Sequence, residues 1–291
     1  MRPILLAALL AVPFAASAVS SADIQAPVLI TRIDCHIVID TTGRVAEYRP
    51  KTTLPAPLGD RVRDMVMAVR FQPVEMDGRV VNAETDMRVA ITAAETSDGG
   101  LKLALDNLSF PNALKMPSGA GGKPPLAQKF SVEFPEAALR TGANADLLAV
   151  LHFGPDGRVV DAAIEQSALV RTRARPADAA AVLSAFEKAT LKALRRWRAD
   201  PEAMPADSRV GDGFVSYIPV SFRIGAGPES MPADAKPGEW MLETRSTRRV
   251  PTWMTVVEHA PQPGVADLAD GEMAGINTRF RLAVPLDAAG S

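Results

Sequence analysis

Apolar residues fall at every second position in several stretches of the chain, separated by turn chemistry and by two stretches with helical spacing. Ile33, Cys35, Ile37 and Ile39 share one face, the period of a strand. Asp40-Thr41-Thr42-Gly43 is a turn in which Gly43 is free to take positive φ, and Arg44 to Tyr48 returns as a second strand. Leu58 to Arg70 carries Leu58, Val62, Met65, Val66 and Val69 as one helical stripe and stops before Pro73, since proline cannot continue a helix. Met87, Val89, Ile91 and Ala93 alternate again. Asp98-Gly99-Gly100 turns the chain, and Leu101, Leu103 and Leu105 return to close a hairpin.

The same order recurs from Leu147 to Ile224. Leu147, Ala149, Leu151 and Phe153 alternate, Gly154-Pro155-Asp156-Gly157 turns, and Val159, Val160, Ala162 and Ile164 return. A helix follows with Val182, Phe186, Ala189, Ala193 and Trp197 on one stripe, and Phe214 to Phe222 closes the run as an alternating strand. Gly43 maps on Gly157 (157 − 43 = 114), and the same step puts Ile33 on Leu147 and Ile39 on Phe153. In the helices Arg70 maps on Arg198 (198 − 70 = 128), with Val69 on Trp197 and Pro73 on Pro201. The difference of 14 (128 − 114) is an insertion around Ser167 to Ala180. The buried faces stay in phase, which points to an internal duplication.

The pattern therefore predicts an α+β fold: two tandem small units, each a short antiparallel ββαβ sheet with one helix packed on a face. The expected organisation is a leader at 1–22, a first unit at 23–111, a Pro/Gly linker at 112–126, a second unit at 127–226 and a Pro-rich tail at 227–291. Two weak strand stretches in the tail, Arg248 to Val257 and Arg279 to Val284, either add to a sheet or wrap the surface.

The chain has 291 residues and a formal net charge of −2, which leaves no global electrostatic case for nucleic acid or an anionic membrane. At the N-terminus Arg2 precedes an apolar run, Pro3 to Phe14, and Ala16-Ser17-Ala18 and Ser20-Ser21-Ala22 offer cleavage sites. That is the layout of a secretory signal peptide; the run is short for a bilayer, which needs roughly 20 apolar residues. The mature chain is expected in the periplasm or secreted, with no membrane span after cleavage. The one cysteine, Cys35, can form no internal disulfide and is expected on a buried strand face.

Phe134-Pro135-Glu136-Ala137-Ala138, Gly157-Arg158-Val159, Trp197-Arg198 and Pro201 stand in an order that resembles the C-terminal domain of TonB proteins, over about Phe130 to Ala226. The first unit resembles a diverged copy, keeping Gly43-Arg44-Val45, Arg70-Phe71-Gln72-Pro73 and Gly78-Arg79-Val80. Ala199 stands where that family carries an aromatic, and the long Pro-rich spacer of an energy transducer has no counterpart. The resemblance implies a non-catalytic recognition module linked to TonB-dependent transport. Its last strand would receive an extended segment of an outer-membrane receptor or another envelope protein by strand addition. Carried over, that strand is Phe214, Val215, Ser216, Tyr217, Ile218, Pro219, Val220, Ser221 and Phe222. Pro219 removes one donor, which suits either a receiving edge or an edge protected against aggregation. The alternative is a structural or self-associating envelope protein in which those edges pair among themselves.

No enzyme chemistry emerges. His36, His152 and His259 have no second His or Cys at ligand spacing, so no metal is expected. No Ser-His-Asp order or nucleophile elbow occurs. Gly119-Ala120-Gly121-Gly122-Lys123 is followed by two prolines that would block the helix a phosphate loop needs. No cofactor is expected. The densest positive patch combines Arg171-Thr172-Arg173-Ala174-Arg175 with Lys188, Lys192, Arg195, Arg196 and Arg198. It suits acidic peptide, lipid headgroups or cell-wall polymer, or is a solvated helix face.

Overall fold

The structure, a computed structural model, describes residues 19–97, 99–110, 132–170, 175–204, 206–224, 236–254, 260–268 and 273–286. The leader before Val19, the glycine-rich linker and Arg171 to Ala174 lie outside the described residues.

The first half contains β1 (Val28–Ile39), β2 (Val45–Pro50), α1 (Ala56–Ala68), the short pair β3 (Glu75–Met76) and β4 (Arg79–Val80), β5 (Ala83–Glu95) and β6 (Leu101–Ser109). The second contains α2 (Glu136–Thr141), β7 (Asn144–Phe153), β8 (Val159–Val170), α3 (Ala179–Leu194), β9 (Arg209–Val210) and β10 (Gly213–Phe222). The tail supplies β11 (Met241–Arg245) and β12 (Ala274–Gly275).

These strands do not make two separate small sheets. Ten of them form one antiparallel sheet in the order β12-β10-β7-β8-β11-β1-β5-β6, with β2 also on β1 and β9 also on β10. This overturns the α+β expectation of two tandem ββαβ units. The molecule is mostly antiparallel sheet, with three α-helices among the described residues. The reason lies at the ends of two strands. β1 runs back to Val28 and β8 runs on to Val170, past the hairpins the alternation marked. β11 pairs Val28–Ile30 on one side and Ala168–Val170 on the other, so the tail closes both ladders.

The weak tail strand at Arg248 to Val257 is not a strand where it is described. Of the other weak stretch, only Leu282 forms a bridge, to Phe71. β11 was hidden from the periodicity because its inward residues include Glu243 and Arg245, both buried.

Within the sheet the two halves repeat their connections. β1 lies between β2 and β5 as β7 lies between β8 and β10. Gly43 (φ +80°) accepts at its carbonyl from the Phe71 amide (2.8 Å), and Gly157 (φ +78°) accepts from the Ala199 amide (2.8 Å). A Cβ at either glycine would sit 1.9 or 2.0 Å from a carbonyl oxygen, so no other residue fits. Arg44 bridges Arg70, and Arg158 bridges Arg198, at the same two steps of 114 and 128.

α1 covers Ile33, Cys35, Ile37 and Ile39 through Val62 and Val66. α3 covers Leu147, Ala149, Leu151 and Phe153 through Val182, Leu183 and Phe186. On the opposite face of the second half a further core forms, where Leu148, Val150, Val215 and Tyr217 meet the tail residues Met254, Val265, Leu268 and Ile276.

Candidate functional site

The strand expected to receive a partner, Phe214 to Phe222, belongs to β10. β10 lies against β7 from Phe214, opposite Phe153, to Phe222, opposite Ala145. On its outer side β9 pairs with Gly213 and Phe214, and β12 pairs with Ser216 and Tyr217. From Ile218 through Pro219, Val220 and Ser221 to Phe222 the described residues provide no strand on that side. The side chains are committed to cores on both faces. Phe214, Ile218, Val220 and Phe222 face α3, and Val215 and Tyr217 face the tail. Ser216 is also buried. The Tyr217 hydroxyl is pushed up by burial and by the neighbouring Glu165 charge.

The motif residues serve the architecture. Phe134 packs edge-on against Phe186 (5.4 Å) and Phe222 (5.6 Å), which ties the stretch ahead of α2 to α3 and β10. Pro135 caps α2 with an extended backbone. Arg158 pairs with Asp156 (3.3 Å), and Arg198 donates to the Asp156 carbonyl (3.3 Å). Pro201 opens a short turn capped by the Asp200 side chain, directly under Gly157. Trp197 is half-buried at the end of the α3 core rather than enclosed by it.

The opposite end of the sheet carries a longer open edge. β6, nine residues, pairs with β5 on one side and has no strand on the other among the described residues. Leu101 is 64% exposed, while Leu103 and Leu105 are half-buried against the α1 core. The alternation of Leu101, Leu103 and Leu105 marked a strand. Its place at the sheet end depends on which strands the tail joins, and no local pattern marks it.

The described residues contain no cluster of His, Cys, Asp or Glu able to hold a metal. His36 sits between Glu84 (3.4 Å) and Asp86 (3.1 Å), and His152 stacks on Trp253 at 5.8 Å. Cys35 is buried, its thiol pushed up to about 12 by burial, which keeps it protonated and inert.

The buried charges are paired across elements. Arg32 on β1 meets Glu243 of β11 (2.7 Å) and Asp267 of the tail (3.0 Å), and Arg245 meets Glu243 (2.8 Å) and Asp106 (2.7 Å). Burial pushes Glu243 and Asp267 up. The guanidinium of Arg32, joined at Glu243 by Arg245, outweighs that and holds both carboxyls below their usual range. The described residues contain no helix long and apolar enough to cross a membrane. No family model, no curated protein and no solved structure matches this chain.

Proposed function

We propose that this chain is a non-catalytic interaction protein of the cell envelope that receives an extended protein segment along an edge of its sheet. The partner class is the one the TonB-like motifs imply: an outer-membrane receptor or another periplasmic protein, in TonB-linked transport. The observation that carries the reading is the open edge of β6 from Leu101 to Asn107, ahead of the buried Leu108 and Ser109, with Leu101 exposed beside it. An unpaired edge offers a row of N–H and C=O groups to an incoming strand, and alternate apolar positions add side-chain contacts. The edge of β10 is the weaker acceptor. β9 and β12 occupy its first half, and Pro219 lacks a donor in the second.

The test is photo-crosslinking in the exporting cell, with single reactive probes at Lys102, Ala104 and Ser221. Capture of envelope receptors through Lys102 and Ala104 is expected. Capture through Ser221 alone would return docking to the strand the family resemblance implies. Capture of further copies of the chain, or of nothing, would leave a self-associating or structural envelope protein.

A further inference from the structure

Beside α3 runs a trough that the edge reading does not use. Its floor is Ala189 and Ala193, half-buried and one turn apart, and Trp197 closes one end. One wall is the stretch Phe134-Pro135 ahead of α2. The other is a ridge of Lys188, Lys192 and Arg196, all exposed, spaced four residues apart. None of these three cations has an ion pair or hydrogen bond among the described residues.

Like charges four residues apart on a helix repel. The negative end of the helix dipole offsets this for Lys192, in the last turn of α3, and for Arg196, two residues past it, but its effect fades within one turn and does not reach Lys188. A row of three unneutralised cations beside small floor residues is therefore arranged for something that is not part of the chain's own packing.

We infer that this trough binds an extended acidic protein segment with carboxylates on alternate residues. The spacing sets the pattern. Cations four residues apart on a helix stand about 6 Å apart along its axis. Same-side residues of an extended chain stand about 6.6 Å apart. Two carboxylates at alternate positions thus meet Lys188 and Lys192 in register, and a third reaches Arg196, two residues past the end of α3. The residues between them point the other way, toward Phe134 and Pro135, and suit apolar side chains. The far rim carries Glu133 and Glu136, both exposed. A flat anionic surface such as a membrane would be pressed against these carboxylates, whereas a single strand can lie along the cationic wall alone.

The test is calorimetric titration of the full chain at low salt with the peptide Glu-Val-Glu-Val-Glu-Val. The comparisons are Val-Val-Val-Glu-Glu-Glu and vesicles of phosphatidylglycerol. The alternating peptide binds with an affinity that falls as salt rises. Lys188→Gln, Lys192→Gln and Arg196→Gln together weaken it roughly tenfold, the scale of three solvent-exposed ion pairs. Ala193→Leu keeps every charge, fills the floor and also weakens binding; all four positions are off the buried core, so thermal melts should stay close to wild type. Equal binding of the two peptides, or binding indifferent to Ala193→Leu, would reduce the site to diffuse charge attraction and overturn the inference. Triad-dependent binding of vesicles without peptide binding would overturn it in favour of a lipid surface. An absence of peptide binding altogether overturns it too. None of these outcomes depends on what docks at β6.

Discussion

The half built on β1 and the half built on β7 share their strand order, their glycine turn and their helix contact, yet differ on the face away from the helix. Behind β7 that face is mainly apolar: Leu148, Val150, Val215 and Tyr217 are closed over by Val265 and Leu268, with the buried pair Asp146–Arg223 at one end. Behind β1 it is ionic: Arg32 pairs with Glu243 and Asp267, and Arg88 pairs with Asp34 and donates to the Asp267 carbonyl. Asp267 and Leu268 are neighbours in the tail, one serving the charged half and the other the apolar half. The local chain fixes the helix-covered face, and a distant segment decides what the other face becomes. A charged face can be covered only where every charge finds a partner, since an unpaired buried charge is far costlier than the pair is favourable.

The largest effects should come from breaking those two covers. Glu243→Ala leaves Arg32 and Arg245 without their shared carboxylate in a buried site, and should cost about 3–5 kcal/mol. Leu148→Ala opens a cavity under the tail and should cost about 2–5 kcal/mol. Urea denaturation at several pH values separates them. Glu243 and Asp267 are held below their usual range when folded, so their contribution is present above the unfolded carboxylate pKa and lost as pH falls through the lowered folded values. Leu148→Ala should keep the wild-type loss of stability in acid, and Glu243→Ala should flatten it. Parallel curves for the two variants would mean that the ionic cover contributes nothing through its charge state.

Next in size are the two turns. Gly43→Ala and Gly157→Ala each force a side chain at positive φ against a carbonyl oxygen, and each should cost about 3 kcal/mol. The two losses should match within error, because the strand, turn and post-helix segment meet in the same way. A tolerated substitution at one of them would break the equivalence of the halves.

A smaller effect separates the halves by sign. Burial raises Glu165 and Asp146, against the pull of Arg248 on one and Arg223 on the other. Each binds its proton more tightly folded than unfolded, so stability declines as pH rises from the usual carboxylate value through the raised one. Glu165→Gln should remove its share of that decline, a slope of up to about 1.4 kcal/mol per pH unit. An unchanged slope in the variant would mean that Arg248 holds Glu165 ionised throughout.

What the sequence revealed follows the same divide. Alternation at Ile33–Ile39 and Leu147–Phe153 located the strands, because each has one face under its own helix, close by in the chain. The glycine turns and the two offsets were readable because Gly43 and Gly157 are the only residues their backbones admit. The single sheet was not readable. It depends on β11, whose inward Glu243 and Arg245 look like surface residues until Arg32 and Asp106 are placed beside them. The second apolar core was half visible in Leu148 and Val150, which break the alternation of β7 and mark a strand buried on both faces. The cationic ridge of α3 was visible as composition. Its alignment with Trp197 and Phe134 came only from the packing of α2 on α3.

The smallest expected effect on stability is also the sharpest test of the open edge. Leu101 lies at the start of β6, mostly in solvent, and makes little contact with the α1 core that Leu103 and Leu105 join. Leu101→Lys should therefore change stability by no more than about 0.5 kcal/mol. A lysine on an edge strand discourages pairing with another chain, because docking would bury its charge. The variant should melt with the wild type while losing capture through the probes at Lys102 and Ala104. The matched change in the other half, Val220→Lys, strikes a residue buried under α3 and should unfold β10 before it says anything about docking. A Leu101→Lys chain that still captures its partner through Lys102 would move the docking edge away from β6. It would leave the outer side of Ile218 to Phe222 as an unpaired stretch that the probe at Ser221 tests.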